Sequence, residues 1–221
     1  MQNTLTPSGS RRSQLLLVFG VVLLLLVIYA LTFSLDASGR DFWLSEGGIV
    51  ESLSALGYFV CAALMLLMGG WHYVKKYHYL FMLVLLFGMR ELDFDKRFTT
   101  MGIFKSKFYA SSDVPMIEKV IGLIVIAIFF YIVFRLVKNH LKDFITGVLR
   151  FSPAHLAVFF AMSFIFISKT LDGIARKLGG FGITIEQSAS VYFQALEEIL
   201  EMGIPVLLML SVYLFLSRHK Q

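Results

Sequence analysis

"SQLLLVFGVVLLLLVIYALTFSL", Ser13 to Leu35, runs for 23 residues without a charge. As a helix rising about 1.5 Å per residue it reaches roughly 34 Å, enough to cross a hydrocarbon core of about 30 Å. Arg11 and Arg12 stand directly before it, which is also how a secretory signal begins. A signal's apolar region covers only about 7–15 residues, however, and no convincing small-x-small cleavage site follows this one, so the run reads as an uncleaved transmembrane helix. The rest of the chain has the same character. Its 221 residues are 57% hydrophobic and 16% charged, with a mean hydropathy of +0.76, outside the balance of a soluble domain.

Hydropathy places six segments near 14–34, 47–70, 77–97, 117–137, 153–175 and 189–217. No internal repeat or low-complexity stretch interrupts them, and the joining loops are too short for a soluble domain. The expected fold is therefore all-α: one integral membrane domain over residues 1–221, a polytopic transmembrane helix bundle of about six spans. A short interfacial helix is expected in "NHLKDFITGVLRF", where Leu141, Phe144, Ile145, Val148 and Leu149 share a face away from Lys138, Lys142 and Arg150. Trp43 and Trp71 fall at opposite membrane edges as interfacial anchors.

With the N- and C-termini cytoplasmic, the inner loops hold Arg11, Arg12, Lys75, Lys76, Arg135, Lys138, Lys142, Arg150, Arg218 and Lys220, and Asp143 is their only acid. The other ten Lys and Arg lie outside, so a strict positive-inside count is a tie. The short loops favour N-in, and the outer bases are concentrated among acids, as a paired site requires.

That concentration begins at "GMRELDFDKRF", Gly88 to Phe98, which follows an apolar run without a break. The uncharged part of this third segment, Tyr77 to Met89, has 13 residues and rises roughly 20 Å, so Arg90 and Glu91 arrive within the outer third of a membrane. Counting back about 20 residues from Arg218 brings the last span's Glu198 and Glu201 to the same depth. There Gln194, Glu197, Glu198 and Glu201 occupy one helical stripe. The second span adds Glu51, with Ser54 and Tyr58 on its face, and the fifth adds Lys169 and Asp172, in line with Arg176. Along the third segment, Glu91 and Asp95 share one helical face while Arg90, Asp93 and Arg97 favour another. Ionisable groups at such depth cost about 2.5–3.5 kcal/mol each unless they pair or line a wet cavity. The candidate site is thus Glu51, Arg90, Glu91, Asp95, Lys169, Asp172, Glu198 and Glu201. The competing reading of Arg90 to Tyr109 is a solvated loop of mixed charge. Proline at 205 is a further feature, expected to kink the last helix and widen the cavity.

Several chemistries are disfavoured. Cys61 is the single cysteine, and the five histidines fall on the inner side without an H-x-x-x-H pair, so neither haem nor a Cys/His zinc site is expected. No G-x-S-x-G, H-E-x-x-H or P-loop occurs. "DFD", Asp93 to Asp95, has the form of a sugar-nucleotide metal motif but lacks any nucleotide-binding domain. The net charge of +5 is scattered between apolar segments instead of forming a nucleic-acid-binding stripe.

Glu51 in "GGIVESLSALGYF", the R-E-x-D run at Arg90 to Asp93, and Glu198 with Glu201 together resemble a loose group of small bacterial inner-membrane proteins without an assigned function. The resemblance spans most of the chain and implies a bacterial inner (plasma) membrane as location, with no activity attached. From the residues themselves, the expected function is an enzyme or binding protein for a lipid-linked or amphiphilic substrate met from the periplasmic side. Carboxylates would serve as general base or hold Mg²⁺ or Ca²⁺, and Arg90 and Lys169 would meet a phosphate-like group. A proton- or cation-coupled transporter and a non-catalytic assembly protein are the alternatives.

Overall fold

The computed structural model describes residues 10–44 and 48–219. Gly47, at which the second span is expected to begin, and Lys220 lie outside the described residues. The described chain is an all-α polytopic bundle: α1 (Arg11–Thr32), α2 (Ala37–Leu44), α3 (Ile49–Lys76), α4 (His78–Glu91), α5 (Phe94–Phe98), α6 (Ser106–Ala110), α7 (Met116–Leu149), α8 (Pro153–Leu171), α9 (Ile174–Gly179) and α10 (Gln187–His219). Of these, α1, α3, α7, α8 and α10 are long and apolar enough to cross a membrane.

The third expected span is the short one. Helix α4 has 14 residues and rises about 21 Å, less than the hydrocarbon thickness. It stops because Asp93 adopts a left-handed conformation (φ 50°), which Asp tolerates better than most residues, and α5 starts in a new direction. The segment 77–97 is therefore a short helix, a turn and a single further turn of helix, so Glu91 and Asp95 do not share a helical face. The fifth expected span is shortened in the same way: α8 ends at Leu171, Gly173 turns at φ 61°, and Arg176 leaves on α9. Residues 139–149, expected as a separate interfacial helix, continue α7 without a break. Inside α3, Gly70 sits at φ 71° and ψ 175°, a region open essentially to glycine alone, and ends the straight part of that helix at the expected limit of the second span.

Helix α10 is the centre, packed on α8, α3 and α1. Tyr58, Cys61, Ala62 and Met65 of α3 meet Ala161 and Phe164 of α8 and Ile199, Ile204 and Leu207 of α10 in one apolar core. The first helix joins by a single seam: only Val18, Leu25 and Thr32 are buried, at the seven-residue spacing that keeps one stripe against a partner. Many of its other large residues, Leu16, Leu23 and Leu24 among them, are exposed, as are Phe130 and Phe134 of α7, the surface of a bundle that lies in a lipid bilayer. Two glycines let the central helices touch. A Cβ on Gly57 would lie 3.0 Å from Pro205, and one on Gly203 would lie 2.7 Å from Leu25 and 2.9 Å from Phe164.

Helix α7 stands apart from this core and touches mainly α4 and α8. Its junction with the start of α4 is polar and aromatic. The Tyr79 hydroxyl and His140 Nε2 are 2.6 Å apart, the Tyr131 hydroxyl and His78 Nε2 are 2.7 Å apart, and the Arg135 guanidinium lies 5.1 Å from the centre of the Tyr79 ring. The opposite end of α4 is where charge gathers.

Candidate functional site

Glu91 closes α4 at the point where the helix runs out of apolar residues, and it is buried, with 3% of its side chain exposed. Arg90 precedes it, so the two point in different directions from the backbone. The long arginine side chain folds back, placing Nη1 3.1 Å from Glu91 Oε1 and Nη2 3.7 Å from Glu201 Oε1. Lys169, from the last turn of α8, comes within 3.2 Å of the same Glu201 oxygen and within 3.4 Å of Asp172 Oδ2. Glu201 thus joins α4 and α8 through α10. Neither cation is aligned to hydrogen-bond its buried Oε1, so the contact is one of charge alone. The backbone is tied as well: Ser54 Oγ, on α3, donates to the Glu201 carbonyl at 3.2 Å.

These groups border a cavity of about 770 Å³. All eight candidate residues, Glu51, Arg90, Glu91, Asp95, Lys169, Asp172, Glu198 and Glu201, line it. Four helices bring them, because the acidic stripe of α10 faces the ends of α3, α4 and α8. Asp95 comes instead from α5, just past the turn. Glu51 acts electrostatically on both Glu91 and Glu198. Glu198, only 9% exposed, makes no hydrogen bond or ion pair with any described residue. Gln194, the fourth member of the α10 stripe, turns away and donates to the Leu44 carbonyl at 3.4 Å.

Three charged residues belong to the lining that the candidate set lacks: Asp93, Lys96 and Glu197. Asp93 and Lys96 pair with each other at 2.8 Å. Glu197 stands on the sequence stripe, which is the signal for it; the other two depend on the turn at Asp93, which periodicity does not show. Altogether the lining carries eight carboxyl groups and three cations. Among the described residues, no three His, Cys, Asp or Glu side chains are grouped so as to hold a metal ion.

The other wall is apolar. Leu83, Leu86 and Phe87 of α4 face Ile121, Val125 and Phe129 of α7 across the cavity. A further side is covered by the segment from α5 to α6, which contributes Phe98, Thr99, Ile103 and Phe104 to the lining. This cover has a small core of its own, Ile103, Phe108 and Val114. It is pinned to α7 by Glu118, which accepts from the Thr100 N–H at 2.8 Å, and by Lys119, which donates to the Ser111 carbonyl at 2.7 Å. Apolar residues at 101, 103, 104 and 108 within a charged loop are the sequence signal for such a cover.

One cavity thus presents an aliphatic and aromatic face on one side and a mostly acidic face on the other. No protein-family model matches the chain, and neither a curated protein nor a solved structure matches it.

Proposed function

We propose that this protein is a membrane-embedded binding protein or enzyme for an amphiphilic, lipid-like molecule, whose chain lies between α4 and α7 and whose polar end meets the carboxylates. The observation that carries the reading is the split lining of this cavity. Its volume is in the range of about 300–1,000 Å³ typical of small-molecule sites. An assembly protein whose ion pairs only fix helix register has no need of such a space. A transporter needs a route onward, and toward the other side of the bundle lies the packed core of Tyr58, Met65, Ile204 and Leu207.

The reading extends to location. The chain lies in a bacterial inner membrane, as its resemblance implies, with both termini cytoplasmic and the cavity opening to the periplasm. Cys61 is fully buried, so the natural chain serves as an unlabelled background for thiol mapping. Ser112→Cys, in the exposed cover, is expected to react with a membrane-impermeant maleimide in intact spheroplasts, and Ser10→Cys only after lysis. The reverse pattern inverts the orientation.

Binding itself is tested by filling the apolar wall. Purified wild-type protein is expected to carry about one amphiphile per chain when extracted and analysed by mass spectrometry. Leu86→Trp combined with Val125→Trp should lower that occupancy at least roughly tenfold, since displaced contacts of this size are worth about 1.5–3 kcal/mol. Equal occupancy in the two proteins would sink the proposal.

A further inference from the structure

The charge balance of the lining bears on what kind of polar end the cavity takes. Its three cations are all engaged: Arg90 with Glu91 and Glu201, Lys169 with Glu201 and Asp172, and Lys96 with Asp93. An incoming phosphate would have to displace an acid from each cation it used. On the acidic side the situation is reversed. Glu198 is nine-tenths buried, lines the cavity and has no partner among the described residues, and its electrostatic neighbours Glu51, Glu91, Glu197 and Glu201 are all acids. A buried carboxylate is stabilised by a proton or by a cation, and no described residue forms an ion pair with Glu198.

We infer that the amphiphile carries a protonated amine, which docks against Glu198 between α3 and α10 while its hydrocarbon chain lies along Leu83, Leu86, Val125 and Phe129. The inference rests on the amphiphile-binding reading and narrows it to ligands with an ammonium end. An ammonium group matches the site in two respects. It donates up to three hydrogen bonds, suiting a carboxylate with unfilled acceptor positions, and its single charge reduces the acid excess without disturbing the Arg90 and Lys169 pairs. The chain positions it: the apolar wall starts on α4 within one turn of Glu91, so the polar and apolar ends of one molecule span both faces.

The test uses the full-length protein in phosphatidylcholine nanodiscs, titrated with dodecylamine, dodecanol, dodecyl phosphate, butylamine, Mg²⁺ or Ca²⁺, with binding read from native mass spectra and from the shift in thermal midpoint. Dodecylamine is expected to bind roughly tenfold or more tightly than dodecanol, the margin of a charged hydrogen bond, and dodecyl phosphate more weakly than either. Glu198→Gln should remove the margin and leave dodecanol unchanged. Glutamine keeps the shape of a protonated glutamate, so a margin that survives the substitution overturns the assignment. The wild-type ranking decides the matter even if the variant does not fold: phosphate binding as tightly as amine, or stabilisation by Mg²⁺ or Ca²⁺ with indifference to dodecylamine, also overturns it. Failure of the broader reading looks different, because then neither dodecylamine nor dodecanol binds, or butylamine binds as tightly as its long-chain analogue.

Discussion

Replacing Arg90 by Leu is expected to lower the thermal midpoint of the purified protein by roughly 6–12 °C, the effect of losing about 3 kcal/mol in a domain of this size. The reason lies in what the substitution leaves behind. Glu201 keeps Lys169 at 3.2 Å, but Glu91, with 3% of its side chain exposed, loses the only cation within ion-pair distance among the described residues. Removing one partner of a buried pair costs about 3–5 kcal/mol, and the lower end applies because Arg90 itself is 47% exposed and water reaches the pair from its side. Adding Glu91→Gln should restore more than half of the loss, since no uncompensated charge then remains. Arg90→Lys should fall between, because one ammonium cannot repeat the arrangement in which separate guanidinium nitrogens face Glu91 and Glu201. If Arg90→Leu melts with the wild type, or the double variant melts no higher than the single one, Glu91 is not held by this charge.

Residue pattern alone reaches a good part of this site because it depends on two simple spacings. Helical periodicity puts Glu197, Glu198 and Glu201 on one face of α10, and rise per residue puts Arg90, Glu91 and Glu201 at one level. Both follow from α-helical geometry, and all eight candidate residues line the cavity. What the pattern does not reveal lies where the helix stops. Asp93 and Gly173 take left-handed conformations that turn the chain, so Asp93 and Lys96 enter the lining while Arg176 is carried off on α9. The pairing is hidden for a different reason: a long arginine side chain can fold back on its own neighbour, which face-by-face reasoning assigns to another direction. The apolar wall is hidden because α7 is apolar on every side, so hydropathy cannot distinguish the face toward the cavity from the face toward lipid.

Gly203→Leu is expected to have an effect as large as that of Arg90→Leu, from packing and without any charge. Gly203 lies on α10 where α1 and α8 both approach, and even a Cβ there would stand 2.7 Å from Leu25 Cδ1 and 2.9 Å from Phe164 Cε2. Overfilling a packed interior costs about 1–3 kcal/mol, and four added carbons at a three-helix contact call for the upper end, again a fall of roughly 6–12 °C. In a bilayer this contact counts for more than an equal area of solvent-driven burial, since lipid tails are as apolar as leucine and close fit is what holds the helices together. Helix α1 should yield first, because only Val18, Leu25 and Thr32 of it are fully buried, with Val21, Val22, Ile28 and Tyr29 half-buried beside them. The cause can be separated from a loss of helical propensity by a paired change. Gly203→Ala is expected to destabilise by clash with Leu25, and Leu25→Ala by leaving a void, yet the two together should cost less than their sum, because the void takes up the new methyl group. Additive losses, or a Gly203→Leu protein that melts normally in detergent with α1 still protected from hydrogen exchange, would show that α1, α8 and α10 do not meet so closely at Gly203.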